Sequence, residues 1–282
     1  MLTVRSPRLS FASIPKHWFA GNFAATHLVN GVNLLFPAGE RFFIRSVKHY
    51  LPRIEGPLAE RVRGFFGQEG RHAYSHERFF DAMREQGYEI DEFLAWYERI
   101  AFGMIEKHSP AALSLAVTVA CEHFTALLAE DALSDDGALL AHAHPELRNL
   151  LAWHAVEELE HKSVAFDVLK AVHPSYPLRL AGLALATMCL GGFWVAATKK
   201  LLEQDGLTLR DAERELRRMR KTPEGERVGE SVATGVFLKG ILEYIRPGFH
   251  PDDKDHRALV EQTLARLRRG GVVPAQDRDV AA

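Results

Sequence analysis

The stretch Trp153-His154-Ala155-Val156-Glu157-Glu158-Leu159-Glu160-His161-Lys162 constrains this chain more than any other. In a helix, His154, Glu158 and His161 fall at i, i+4 and i+7 and share one face. Two imidazoles and a carboxylate in one stripe can aim lone pairs at a common centre. Such a set suits iron, manganese or zinc rather than copper(I). Apolar Leu150, Leu151, Val156, Ala165 and Val168 run along the same helix, so it is not a purely solvated one. On this helix alone a charged surface patch remains an equal reading, because Glu-x-x-His is a short pattern.

The pattern recurs upstream. Glu69, His72 and His76 fall at i, i+3 and i+7 of a long helix predicted from Leu58 to Gln86, beside Phe65, Phe66, Ala73, Phe79 and Phe80. Glu40 sits one turn into a helix that Pro37 opens and that runs to about Tyr50, among Phe36, Phe43, Ile44 and Val47. Glu122 interrupts the apolar run Ala111–Ala129, which follows Ser109-Pro110. An ionised carboxylate there costs several kcal/mol unless it is paired or metal-bound. Pro145 opens the last of these helices, expected to continue to His173-Pro174. A Glu on each of two helices plus Glu-x-x-His on each of two others is the two-metal carboxylate arrangement of a four-helix bundle. Two such metals sit about 3.5–4 Å apart, and four carboxylates offset their charge. Glu157 and Glu160 point away from the stripe and are expected at the surface or in ion pairs.

No segment shows strand periodicity, so the fold class is all-α: a four-helix bundle with extra helices. Further helices are predicted from Phe23 to Phe36, from Glu92 to Lys107 with Asp91 as cap, and from Leu209 to Lys221 behind the capping box Thr208–Asp211. Others span Gly229–Ile245 and Asp255–Arg269, separated by a rigid turn at Arg246–Pro251. Leu180–Thr198 runs without a charge for nearly the roughly 20 residues a membrane-spanning helix needs. A helix buried in the bundle or lying on a membrane surface is favoured over a span, with Gly182, Gly191 and Gly192 admitting close neighbours. Walling an apolar substrate channel is a third use. The chain divides into an irregular segment 1–22, a two-metal bundle 23–175, additional helices 176–270 and a disordered tail 271–282.

Composition adds exclusions. A net charge of −2 gives no basic surface for nucleic acid. Cys121 and Cys189 are read as buried free thiols, and the first twenty residues lack the apolar core of a secretory signal. The expected location is cytoplasmic, with membrane-surface contact and a homodimer both compatible.

Phe36-Pro-Ala-Gly-Glu-Arg-Phe-Phe43, Gln68-Glu-Gly-Arg-His-Ala-Tyr-Ser-His76, Cys121-Glu-His-Phe124, Trp153–Lys162 and Arg246-Pro-Gly-Phe-His-Pro251 carry a resemblance. At these residues the chain resembles the ferritin-like di-iron superfamily. It resembles more closely a bacterial family described as predicted metal-dependent hydrolase. His154-x-x-x-Glu158-x-x-His161 is similar to the motif of arylamine N-oxygenases, in which the first His is a further ligand. The resemblance implies a ligand set of Glu40, Glu69, His72, Glu122, His154, Glu158 and His161, with His76 supporting it from behind and no catalytic group beyond the ligands. Two metal ions are expected, iron first, with manganese or zinc as alternatives.

The function expected first is a di-iron oxidoreductase that activates dioxygen against an apolar or amine-bearing small substrate and draws on an electron donor. The alternatives are a metal-dependent hydrolase, needing no Ser or Cys nucleophile motif, and a non-catalytic ferroxidase or iron-binding bundle.

Overall fold

The computed structural model describes residues 2–137, 139–221 and 237–275. Four helices build the centre. They are α2 (Phe36–Lys48), α3 (Gly56–Glu85), α5 (Ala111–Gly137) and α6 (Pro145–His161). α2 packs on α3 and α5, and α6 packs on the same two, so the four close into a ring. Proline in the first turn starts α2, α3 and α6, where its missing N–H breaks no helical bond. Phe65, Phe79, Phe124 and Trp153 are fully buried within or against the ring, each contributing about 2–3 kcal/mol of apolar burial.

Around the ring lie α1 (Phe23–Asn33), α4 (Asp91–Ile100), α7 (Val164–Val172), α8 (Tyr176–Gln204), α9 (Leu209–Met219), α10 (Lys239–Tyr244) and α11 (Arg257–Arg269). The described residues contain no strand, only a single bridge between Phe19 and Ala143. The all-α expectation therefore holds, as does the capping box: Thr208 Oγ1 accepts from Asp211 N, and Asp211 Oδ2 accepts from Thr208 N. Residues 222–236 and 276–282, which take in the first half of the expected helix 229–245 and the end of the expected tail, lie outside the described residues.

Three local expectations are corrected. The last ligand-bearing helix does not run to His173: it stops at His161, turns at Lys162-Ser163, and restarts as α7. The turn contains no Gly or Pro; tertiary bonds hold it. Lys162 Nζ donates to the Lys254 carbonyl, and Arg61 Nη2 donates to Ser163 Oγ. α7 is thereby laid against both α3 and α5. Asp91 is not a cap but the first residue of α4, its carboxylate taken by Arg84 at 2.6 Å. α4 also ends early, passing at Ala101 into a π-helical segment that runs to Glu106.

α8 contains the charge-free stretch and packs on α5 and α1. Gly182 is the reason it approaches α5 so closely: a Cβ there would sit 2.4 Å from the backbone of Ala116. Gly191 and Gly192 have nothing within 4 Å, so the same expectation fails for them. α5 and α8 are both long and apolar enough to cross a membrane. Most of the apolar stretch of α5 is buried in the ring, whereas α8 leaves Met188 (68%) and Val195 (55%) exposed.

The N-terminal segment has no helix but is not loose. Leu9, Ile14, Trp18 and Phe19 are buried, and Trp18 Nε1 donates to Asn30 Oδ1 at 2.9 Å. Asp205, at the end of α8, gathers Lys16, His17, His27 and Tyr88 around one carboxylate, at 2.6–3.1 Å.

Candidate metal centre

All seven residues expected as ligands are buried and face the interior of the four-helix ring. Glu69, Glu122 and His161 each offer one ligand atom within 4.8 Å of the others. So do Glu40, Glu69 and His72, and so do His72, His154 and Glu158. The groups overlap. Glu69 Oε1 lies 3.0 Å from His161 Nε2 and 3.9 Å from His72 Nδ1. Glu158 turns Oε1 toward His154 Nε2 (2.8 Å) and His72 Nδ1 (3.7 Å), and Oε2 toward His161 Nε2 (3.4 Å). Glu122 Oε2 is 3.3 Å from His161 Nε2, and Glu40 Oε1 is 3.7 Å from His154 Nε2. Two clusters thus share Glu69 and Glu158, with Glu122 and His161 on one side and Glu40, His72 and His154 on the other.

The outer nitrogen of each ring is already committed. His161 Nδ1 meets Gln68 Oε1 at 3.0 Å, and Gln68 Nε2 in turn donates to the Thr3 carbonyl and to Glu160 Oε2. That fixes the amide orientation, so Nδ1 must carry the proton and Nε2 is a bare lone pair. His72 Nε2 donates to Glu157 Oε2 at 3.1 Å, leaving Nδ1 bare. His154 Nδ1 lies 2.6 Å from His76 Nε2, and His76 Nδ1 in turn meets Asn33 Oδ1. His154 Nε2 in turn is hydrogen-bonded to Glu158 Oε1 at 2.8 Å. Two inward imidazole nitrogens, His72 Nδ1 and His161 Nε2, therefore face carboxylate oxygens without a hydrogen bond.

Facing lone pairs repel unless a cation stands between them. Both oxygens of Glu40, Glu69 and Glu122, together with His72 Nδ1 and His161 Nε2, are buried without a properly directed hydrogen bond. His161 Nε2 and Glu69 Oε1 are close but misaligned for one. The electrostatics report the same shortage. Burial, reinforced by neighbouring carboxylates, pushes Glu40 and Glu69 well above the usual carboxylate range. Burial pushes Glu122 up to about 7 against the pull of His161. Burial alone would lower His161, but Glu158 and Glu122 hold it well above its ordinary value. Stripped of cations, the centre would have to take up protons. A buried donor set of neutral imidazoles and carboxylates, orphaned in this way, fits divalent metal.

The sequence placed Glu157 at the surface or in an ion pair; only the second holds. Glu157 is fully buried and receives Arg5 Nη1 at 3.2 Å, while Arg5 also grips Glu160 through both nitrogens. Arg5 carried no local signal, since 152 residues separate it from Glu157. Thr125 was likewise missed: one turn beyond Glu122, its Oγ1 donates to Glu158 Oε2 at 2.5 Å. Cys121 and Cys189 are free, as expected, but half-buried rather than buried, because both line an apolar cavity.

Two cavities flank the centre. The larger, about 490 Å³, lies among α1, α5, α6 and α8 and reaches His154 and Glu158. The smaller, about 100 Å³, is bounded by α2, α5, α8 and the π-helical segment and reaches Glu40. α8 contributes Trp194 to the first and Phe193 to the second.

Residues 3–255 match the model of a family described as predicted metal-dependent hydrolase. No curated protein and no solved structure matches the chain. The family match corrects the function expected first: a di-iron oxidoreductase with an electron donor gives way to the hydrolase alternative. The physical reason for the misreading is that mixed nitrogen and oxygen ligands suit redox and Lewis-acid metals equally, so the donor set alone does not choose the reaction. With nearly its whole length covered by that model, the chain belongs to the family of predicted metal-dependent hydrolases.

Proposed function

We propose that the chain hydrolyses its substrate at a centre of two divalent cations, one held by Glu69, Glu122 and His161 and the other by Glu40, His72 and His154. Glu158 and Glu69 face both positions. One observation carries the reading: two imidazole nitrogens, His72 Nδ1 and His161 Nε2, and six carboxylate oxygens are buried in one space without a hydrogen-bond partner. A bound pair of this kind supplies Lewis-acid polarisation and a hydroxide at neutral pH. The ligand set accommodates zinc, manganese or ferrous iron. The ring of α2, α3, α5 and α6 supports placing the fold with the ferritin-like superfamily, and His154 supports a nitrogen-enriched second position.

The rest of the work belongs to side chains that hold these residues still. Gln68, Glu157 and His76 each fix one ligand ring through its outer nitrogen, an arrangement that sets the tautomer and raises the basicity of the inner one. Thr125 fixes Glu158, the carboxylate with an oxygen toward each position. Phe36 packs tilted against His76 and edge-on against His154. Burial holds both cysteine thiols above their ordinary value, so neither offers a thiolate nucleophile.

The test is hydrolysis of carboxylic esters and amides by protein stripped with chelator and reloaded with zinc or manganese under strict anaerobiosis. Activity is expected to return with metal and to fall at least 100-fold in Glu122→Ala. Turnover that survives complete metal removal, or that requires dioxygen, overturns the proposal.

A further inference from the structure

We infer that the substrate is an uncharged carboxylic ester or amide with one long, apolar chain, its carbonyl at the centre and its chain in the 490 Å³ cavity. The inference rests on the hydrolase reading and extends it to a substrate class.

Position comes first. The large cavity meets the centre at His154, Glu158 and Thr125. The small cavity meets it from the other side at Glu40 and Thr125. Phe36 and Thr125 line both, so the two spaces adjoin across the centre. A molecule whose reactive carbon lies beside Glu158 therefore has an apolar compartment on either hand, one large and one small.

Size sets the chain. A dry cavity of about 150 Å³ lined by Leu, Ile and Phe accepts benzene, six carbons. On that scale the large cavity, walled by Leu28, Val32, Leu128, Leu151 and Trp194, holds up to about 20 carbons. The small one, about 100 Å³, has room for a group of a few carbons.

Charge excludes anions. Among the described residues, Glu130, Asp131 and Glu158 line the large cavity with one lysine, Lys239, and no arginine. Glu130 is itself held by Lys254 at 3.0 Å. The centre offers no surplus of positive charge either, because Glu40, Glu69, Glu122 and Glu158 would balance two divalent ions. A phosphodiester or a free fatty acid, set among three carboxylates, would need cations beyond Lys239 to receive it. A neutral carbonyl compound needs none.

The step balances with water alone. The bond between the acyl carbon and the ester oxygen or amide nitrogen breaks. The oxygen of water joins the acyl carbon, one water proton passes to the leaving alcohol or amine, and a carboxylic acid is released. Nothing is oxidised or reduced.

The experiment has a catalytic arm and a binding arm. The zinc- or manganese-loaded protein is assayed with p-nitrophenyl esters of acetic, butyric, decanoic and palmitic acids. Each methylene that enters the cavity should raise kcat/KM about three- to four-fold, so decanoate should exceed butyrate by at least 100-fold. Ala132→Trp, which puts an indole in the cavity, should cut that ratio at least ten-fold. Separately, metal-free wild-type protein is melted with dodecan-2-one, a ketone that cannot be hydrolysed, and with dodecanoate. The ketone should raise Tm and the anion should not. If the ketone binds but no ester is cleaved, the hydrolase reading fails and the cavity assignment stands. If esters are cleaved without regard to chain length and the ketone does not bind, the cavity assignment fails alone. A larger shift with dodecanoate than with the ketone overturns the preference for neutral substrates. The binding arm uses wild-type protein, so the inference stays testable should Ala132→Trp fail to fold.

Discussion

Glu122→Gln separates what the buried carboxylate costs from what it provides. In the metal-free protein, burial raises Glu122 from 4.5 to about 7. A carboxyl raised on folding favours the native state fully below its unfolded value and loses that contribution as pH climbs through the folded one. At pH 8 the loss is complete and is worth about 3 kcal/mol, at 1.36 kcal/mol per pH unit. Gln keeps the shape and carries no charge. The metal-free variant is therefore expected to be more stable than wild type at pH 8 by up to about 3 kcal/mol, or about 6 °C at roughly 2 °C per kcal/mol for a chain of this size. At pH 5 most of that advantage should vanish. Metal reverses the order. At a thousand-fold excess over Kd, binding adds about 4 kcal/mol to wild type, about 8 °C, and most of this gain should be missing from the variant. The assay is thermal melting with chelator and then with zinc or manganese, at both pH values. A metal-free variant that melts below wild type at pH 8 would show that Glu122 is satisfied without metal. Equal metal-induced shifts in both proteins would remove Glu122 from the ligand set.

Three further outcomes follow from the packing and the charges. Gly182→Ala should destabilise by at least about 2 kcal/mol in urea unfolding, because its Cβ would meet the Ala116 backbone rather than a movable side chain; an unchanged midpoint would show that α8 slides freely on α5. Arg5→Ala should cost about 3 kcal/mol by stranding buried Glu157, and Arg5→Ala combined with Glu157→Gln should recover part of it in a double-mutant cycle. Burial lowers His123 from 6.5 to about 4 while it bonds the Gly240 carbonyl. A group lowered on folding supports the native state above its unfolded value, so this contribution of about 3 kcal/mol should be lost as pH falls from 6.5 to 4. His123→Gln should flatten the stability profile over that window; an unaltered slope would contradict the assignment.

The ligand ladder was legible because it is local. Helical spacing places Glu69 with His72 and Glu158 with His161 whatever the surroundings, and the apolar run around Glu122 announces burial. The break at Lys162-Ser163 was not legible, because it is made by Lys254 and Arg61 from distant parts of the chain. Without it, α7 would continue the line of α6 instead of lying against α3 and α5. Arg5 shows the same limit: nothing in an irregular, proline-bearing N-terminus marks one arginine as the partner of a core glutamate. The chemistry was misjudged for a different reason. The structure does bring those Glu and His side chains together, but their donor atoms are equally at home around redox and Lewis-acid metals, and only the family match distinguished the two.

The central claim is the paired cation centre, and anomalous diffraction from metal-loaded crystals tests it most directly. Two peaks are predicted inside the ring of α2, α3, α5 and α6, about 3.5–4 Å apart. One should lie against Glu69, Glu122 and His161, the other against Glu40, His72 and His154, with Glu158 touching both. A single peak, no peak, or metal found only at His17, His27 and Asp205 would contradict the account.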